Sequence, residues 1–482
     1  MTVVRHTGVR PYLLLSVIAL GACSASIQPI NQPVPLEPPP SSPPRTARAP
    51  RGGSDSTVRP RSDDAPPDDE SVTVLPSIIG HRTSGAAQAD VPTVRTNRRV
   101  DADQPVRIAL ALGETSARVT ATGPWALYQQ GSDTPIASLG SDDVVTVQRD
   151  GGALAVSGAA RASGRTTLVA RAGDGSVIAY NGRHYRGELV LSPSRNGVMV
   201  VNRAGMEDYL RGVVPLEIGT DRTPFEAAAV EAQAVAARSY AYTKLDDARP
   251  YDLLATVTDQ VYGGMDAERP VSNAAVDATR DMVLMYGGRI INAPYSANAG
   301  GVTAAASEVW RTDDEPYLVS VSDRIPGTDH FYDEESPKFR WSRTLDAATL
   351  ASAAARYLPQ YAHAPKSGIG HVRAVRETGR TQSGRVAGLE FRTDGGTFTV
   401  RANDIRFVLR APGGDVLPST LFTMEPETDD AGNLVRLTLR GTGNGHGVGM
   451  DQWGAIARAR AGQDFRTILS TYYPGTTVER GS

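Results

Sequence analysis

Residues 213–219 read V-V-P-L-E-I-G, which sets one carboxylate, Glu217, in an apolar run just after a proline. Two readings of that acid are open. On a half-buried strand side chains alternate between faces, and Glu217 would simply meet solvent. Held among Val213, Val214, Leu216 and Ile218, the carboxyl is harder to ionise, so its pKa rises and it can donate a proton near neutral pH. Other chemically capable side chains follow. Glu231, Gln233, Arg238 and Tyr240 share one Ala-rich stretch, where most such groups face solvent. Asp259 opens D-Q-V-Y-G-G, and Tyr295, Ser296 and Asn298 cluster ahead of Gly300-Gly301. His446 stands in G-N-G-H-G-V-G, where glycines let backbone N–H groups and an imidazole approach a polar ligand. That loop lacks the G-K-[ST] ending of a phosphate loop, and no second histidine lies near it at zinc-site spacing.

These groups need elements to position them. Thr223-Pro224-Phe225-Glu226 is a helix start: Thr223 suits the N-cap, Pro224 the first helical position, and Glu226 completes a capping box. The helix is expected to run to about Lys244. Upstream, strands are expected over Gly187–Leu191 and Val198–Val201, then a short helix over Met206–Arg211 ahead of the Glu217 segment. Downstream, a helix over Ser272–Asp281 precedes a hairpin with Gly287-Gly288 at its turn, and Pro316–Asp323 reads as a strand. Residues 104–175 are short β-type runs broken by Gly and Asp, which predicts a small β domain.

The whole chain sets limits. Its 482 residues suffice for two or three domains, and a formal net charge of −3 gives no case for nucleic acid as a partner. The only cysteine is Cys23, which excludes a structural disulfide and a multi-cysteine metal site. Arg5, His6 and Arg10 precede the apolar run Pro11–Ala22, too short for a comfortable membrane span but suited to export. That run ends L-G-A-C and resembles the lipobox of bacterial lipoproteins. The resemblance implies a signal peptide over 1–22 and a lipid on Cys23 that anchors the protein to a membrane. Ser24 in place of Asp favours the outer membrane, facing the periplasm, in a Gram-negative cell. Residues 23–103 are rich in Pro, Ser and mixed charge, and are expected to form a disordered tether.

The motifs then combine. In order they are N-G-R-H-Y-R-G at 181–187, V-N-R-A-G-M-E-D-Y-L-R-G-V-V-P-L-E at 201–217, E-A-Q-A-V-A-A-R-S-Y-A at 231–241 and D-Q-V-Y-G-G at 259–264. Gly300-Gly301, S-E-V-W at 307–310, S-G-R-V at 383–386, L-P-S-T-L-F at 417–422, G-H-G-V-G-M-D-Q-W-G-A at 445–455 and Y-Y-P-G at 472–475 complete the set. This ordered set resembles the stage II sporulation protein D (SpoIID/LytB) family and covers most of 180–480. The resemblance implies an α+β fold: a strand-rich SpoIID-like catalytic domain with a few helices over 176–480, after the small β domain and the tether. It implies action on peptidoglycan glycan strands, as a lytic transglycosylase with Glu217 as the single general acid and base. It also places Gln233, Arg238 and Tyr240 beside Glu217, and Asp259, Gln260, Tyr262, Tyr295, Ser296, Asn298, His446 and Gln452 around a glycan groove. Arg238 can equally form a buried ion pair, with Glu231 or Asp259 as the partner considered.

One departure stands out. Where many members carry H-S-x-S-G-G or a cysteine, this chain has S-A-N-A-G-G, with Ser296 and Ala299 in place of the commoner residues. Some relatives bind zinc there, and without those ligands no zinc and no other cofactor is expected. The rival reading is a non-catalytic glycan binder that enhances a cell-wall amidase. An amidase proper is disfavoured because no zinc-spaced His/Asp/Glu cluster is visible.

Overall fold

The computed structural model describes residues 95–101 and 104–481. The expected signal peptide, Cys23 and residues 24–94 of the expected tether lie outside the described residues. Residues 95–101 belong to the fold: Thr96 pairs with Ile290, and Arg95 lies over the Tyr286 ring. Among the described residues no helix is long and apolar enough to cross a membrane.

The architecture is α+β. Two sheets share one core. The seven-stranded sheet runs, in spatial order, Leu253–Leu254, Pro105–Glu114, Gly197–Gly205, Glu188–Ser194, Leu168–Ala172, Trp125–Gln129 and Pro135–Leu139. The six-stranded sheet runs Arg183–Tyr185, Ile178–Tyr180, Ser116–Ala121, Val145–Asp150, Ala153–Gly158 and Ala162–Arg165. Alternate residues such as Val106 and Ile108, Val145 and Val147, Leu189 and Leu191 are fully buried, which is the period-2 pattern of strands with one covered face. The strands expected to form a separate β domain are therefore woven into the next region. Pro105–Glu114 pairs with Gly197–Gly205, and Leu168–Ala172 pairs with Glu188–Ser194. Local spacing reveals that a strand needs a cover, but not which distant strand supplies it.

Helix α1 (Met206–Ile218) follows the second of those strands directly. It does not stop at Arg211 as expected; it runs through Pro215 and carries Glu217 in its last turn. Pro215 lacks the N–H that would bond the carbonyl of Arg211 and locally disfavours the helix. Burial of Val213, Val214 and Ile218 keeps the helix going to Gly219, which ends it at a φ of 105°. The Thr223 helix start forms as expected, first as a 3₁₀ turn (Pro224–Glu226) and then as α2 (Ala227–Lys244), with the Thr223 N–H donating to Glu226 Oε2 at 2.9 Å. Buried alanines at 229, 232, 234, 236, 237 and 241 let α2 lie close to its neighbours. Helix α3 spans Pro270–Ala278, two residues earlier than expected at its start, with proline in the first turn. The hairpin turn sits at Gly287 and Gly288, with φ of 57° and 73°. Pro316–Asp323 forms no ladder; its one strand-like contact is an isolated bridge from Ser322 to Val302.

A second core lies in residues 340–442. Leu345, Leu350, Leu358, Phe391, Leu437 and Leu439 close it, beneath helix Ala347–Tyr361 and two three-stranded sheets. The region expected as one domain over 176–480 thus carries an insertion with its own hydrophobic centre.

Candidate active site

Glu217 lines a cavity of about 590 Å³, a size that suits a small-molecule or sugar site. The α1 helix is brought to it by Gly212, where any Cβ would lie 2.5 Å from the Tyr262 ring. Gly212 also accepts from Gly263 N at 3.1 Å, which seats the D-Q-V-Y-G-G loop on the helix. The loop's Val261 N–H then donates to Glu217 Oε1 at 2.8 Å. Glu217 Oε2 has no partner among the described residues. Burial pushes the carboxyl up to about 7, and the Val261 N–H offsets only part of that. A carboxyl poised there can act as acid and then as base at neutral pH.

Around it the cavity gathers Tyr240, Asp259, Tyr295, Ser296, His446 and Gln452, all expected from the sequence. Tyr240 donates to Asp259 Oδ1 at 3.1 Å, and Lys244 Nζ lies 4.8 Å from the Tyr240 ring centre. Ser296 Oγ accepts from Gly447 N at 3.2 Å, tying the S-A-N-A-G-G turn to the glycine loop. In that loop His446 Nδ1 accepts from Val448 N at 3.0 Å, which puts the ring hydrogen of neutral His446 on Nε2. The His446 ring packs against Trp310, 5.0 Å between centres.

Five expected residues stand behind the cavity rather than in it. Arg238 is fully buried and forks onto Glu207 of α1, at 2.6 and 2.9 Å, so the partner is neither Glu231 nor Asp259. This pair locks α2 to α1. Tyr262 donates to Asn202 Oδ1 at 2.7 Å within the sheet core. Asn298 donates to the Asp333 carbonyl and receives Gly300 N, shaping the glycine turn. Gln233 receives Gln452 Nε2 at 3.1 Å, and Gln260 bridges Tyr209 and Tyr295.

Two features escaped the sequence reading. Arg222, four residues past the end of α1, lines the cavity. Its Nε is buried without a partner, and its ion pair to Glu226 is long at 3.5 Å because Arg460 holds Glu226 at 2.7 Å. Deeper, Asp323, Asp333 and Asp451 bring carboxylate oxygens within 4.8 Å of one another. Asp333 Oδ2 accepts Gly300 N and Gly301 N at 2.9 Å each, Asp451 accepts Ala299 N at 2.6 Å, and Asp323 pairs with Arg458 at 2.7 Å. Burial, then repulsion from Asp333 and Asp323, pushes Asp451 well above the carboxylate range. Shared protons, backbone N–H donors and Arg458 therefore account for the cluster. Its all-oxygen donors are not the imidazole and thiolate set of a zinc site. The three acids are spread over 128 positions of chain, so no spacing motif announces them.

Comparison with known proteins agrees with this architecture. Residues 194–286, which hold α1, α2 and the D-Q-V-Y-G-G loop, match the family model described as "Stage II sporulation protein", SpoIID. Residues 325–449 match a domain of unknown function, largely the insertion with its own core. The chain belongs to the stage II sporulation protein D family. It is 31% identical to an uncharacterized protein of Brachyspira hyodysenteriae, over 77% of this chain and 92% of that one. It is 32% identical to the "Amidase enhancer" of Bacillus subtilis, over 56% of this chain but only 40% of that protein. To "Stage II sporulation protein D" of Bacillus subtilis it is 27% identical, over 58% and 75% respectively.

Proposed function

We propose that this protein is a peptidoglycan lytic transglycosylase that cuts glycan strands with Glu217 as its only acid and base. The observation that carries the reading is the Glu217 carboxyl itself. One oxygen is pinned by Val261 N–H, the other is unpartnered, and the group is raised to about 7 at the wall of a sugar-sized cavity. Ordinary glycosidases need two carboxyl groups, one for the leaving oxygen and one as nucleophile or base for water. Here the sugar supplies the nucleophile. Protonated Glu217 gives its hydrogen to the glycosidic oxygen as the C1–O bond breaks. The resulting carboxylate takes the hydrogen of the same muramyl residue's C6 hydroxyl as O6 bonds to C1. The products are a 1,6-anhydro end and a free hydroxyl on the leaving sugar; no water is consumed and Glu217 ends as it began. Tyr240 and Tyr295 offer faces for sugar rings, and His446 stands on the same cavity lining.

The second reading, a non-catalytic enhancer of a cell-wall amidase, is favoured by the similarity to the Bacillus subtilis protein of that name. It keeps the groove and does not require Glu217. In either reading we place the chain in the bacterial envelope, anchored through a lipid on Cys23 with residues 24–94 as a tether. The test is mass spectrometry of glycan digests made with the full chain and with Glu217→Gln. Anhydro-muramic ends from the wild type alone support the lytic reading. Strand binding by both proteins with no ends from either leaves the enhancer.

A further inference from the structure

Behind Glu217 lies a chain of polar groups whose hydrogens the geometry fixes. The Tyr209 hydroxyl donates to Gln260 Oε1 at 2.8 Å, in fully buried surroundings. Gln260 Nε2 donates to the Ala237 carbonyl at 3.3 Å and to the Tyr295 hydroxyl at 2.8 Å. A carbonyl can only accept, so the amide nitrogen must face Ala237 and Tyr295, and the amide oxygen must face Tyr209. The Tyr295 oxygen is thus the acceptor at the end of this chain, and its own hydrogen is left over. No acceptor takes that hydrogen among the described residues, and Tyr295 lines the cavity. Gln260 and Val261 are consecutive. One holds the Tyr295 hydroxyl and the other holds Glu217 Oε1, so a single dipeptide anchors both groups on the same wall.

We propose that Tyr295 is a positioning residue, its hydroxyl donating to the Glu217 carboxylate once that group has passed its proton to the glycosidic oxygen, and so aiming Oε2 at the C6 hydroxyl. The proposal rests on Glu217 as the acid and base. Gln260 anchors the hydroxyl oxygen before substrate arrives, and the hydrogen bond to Glu217 forms as charge appears. Burial, and the Glu217 charge beside it, push Tyr295 well above its ordinary range, so it keeps its hydrogen at neutral pH. The other titratable or charged groups of the cavity are Tyr240 from α2, Asp259, Asp266 and Arg269 from the segment after it, Arg183 from the strand Arg183–Tyr185, Asp221 and Arg222 from beyond Gly219, and His446 from the glycine loop; Tyr209 of its own helix also feels the Glu217 charge. None of them is held in this donor geometry toward the site by Gln260.

The decisive measurement is a carbon-detected NMR titration of the full chain with labelled glutamate, the Glu217 signal being identified by its loss in Glu217→Gln. Tyr295→Phe removes a donor to the charged form, so the Glu217 midpoint rises by about half a pH unit or more. In glycan cleavage, kcat falls about tenfold, KM changes little, and the alkaline limb of the profile moves up with the NMR midpoint. Tyr262→Phe keeps the ring against Tyr209, deletes a hydroxyl bonded to Asn202 outside this chain of hydrogen bonds, and leaves the midpoint in place. An unchanged Glu217 midpoint in Tyr295→Phe overturns the proposal. Should that chain fail to fold, Gln260→Met, which frees the Tyr295 hydroxyl from its anchor, is read by the same rule. The titration needs no turnover. Absent anhydro ends from the wild type would therefore sink the lytic reading, whereas a fixed midpoint would sink the role of Tyr295.

Discussion

Two acid sites in this molecule, one half-buried and one fully buried, show how differently a fold can treat carboxyl groups. Glu217 is alone, accepts one backbone hydrogen bond, and shows its second oxygen to a cavity. The Asp323, Asp333 and Asp451 cluster is closed off, and it is surrounded by backbone N–H donors, Tyr472 and Arg458. Both sites are raised by burial, Glu217 to about 7 and Asp323 to about 6. A raised carboxyl is therefore not enough to mark a catalytic acid. What separates them is an oxygen that faces a cavity with room for a substrate, against oxygens shut away from it, most of them holding glycine turns and a helix start together. The first arrangement stores reactivity, and the second fixes the S-A-N-A-G-G turn and the helix beginning at Gln452.

The comparison can be broken most sharply at Glu217. Glu217→Gln is expected to cost about a thousandfold or more in formation of anhydro ends, with strand binding retained. An equally active variant would end the distinction between the two sites. Asp323→Ala should do the opposite. It strands Arg458, whose side chain is 8% exposed, and costs roughly 3 kcal/mol or more in urea unfolding. The Glu217 titration of the remaining folded protein should stay where it was.

A third test uses pH. The folded pKa of Glu217 lies above its unfolded value, so the folded state holds the extra proton. The fold is favoured below about 4.5 and loses that contribution as pH rises toward about 7. Glu217→Gln does not titrate. Thermal melts should therefore coincide near pH 4 and separate as pH rises, the variant becoming more stable by about 2–3 kcal/mol above pH 7. Cleavage runs on the same group, since the protonated form must start the reaction, and its alkaline limb should fall through about 7. Melts that stay parallel at every pH would show that Glu217 is not desolvated. The smallest expected effect is at Arg222, which lines the same cavity and has a buried N–H without a partner. Arg222→Gln should weaken strand binding by about three- to tenfold. Titration calorimetry would detect it, and an unchanged affinity would assign Arg222 to the α1 terminus alone.

Much of this was legible in the chain. The apolar setting of Glu217, the Thr223-Pro224-Glu226 start and the Gly287-Gly288 turn are local signals, and each appears where local chemistry puts it. The ordered motifs named the family. Other features could not be read, because they depend on which surfaces meet. Arg238 and Tyr240 sit two residues apart on one helix, yet one is buried on Glu207 and the other opens to the cavity. Spacing gives the helix; the packing of α1 and α3 decides which face is covered. The same holds for Pro105–Glu114, Ser116–Ala121 and Leu168–Ala172, each of which has a partner strand beyond residue 175. The N–H that pins Glu217 and the amide that holds the Tyr295 hydroxyl come from consecutive residues in a loop. Backbone groups carry no sequence signature, so the sequence determined that an acid would be there and only the tertiary structure decided that one of its oxygens is held and the other left free.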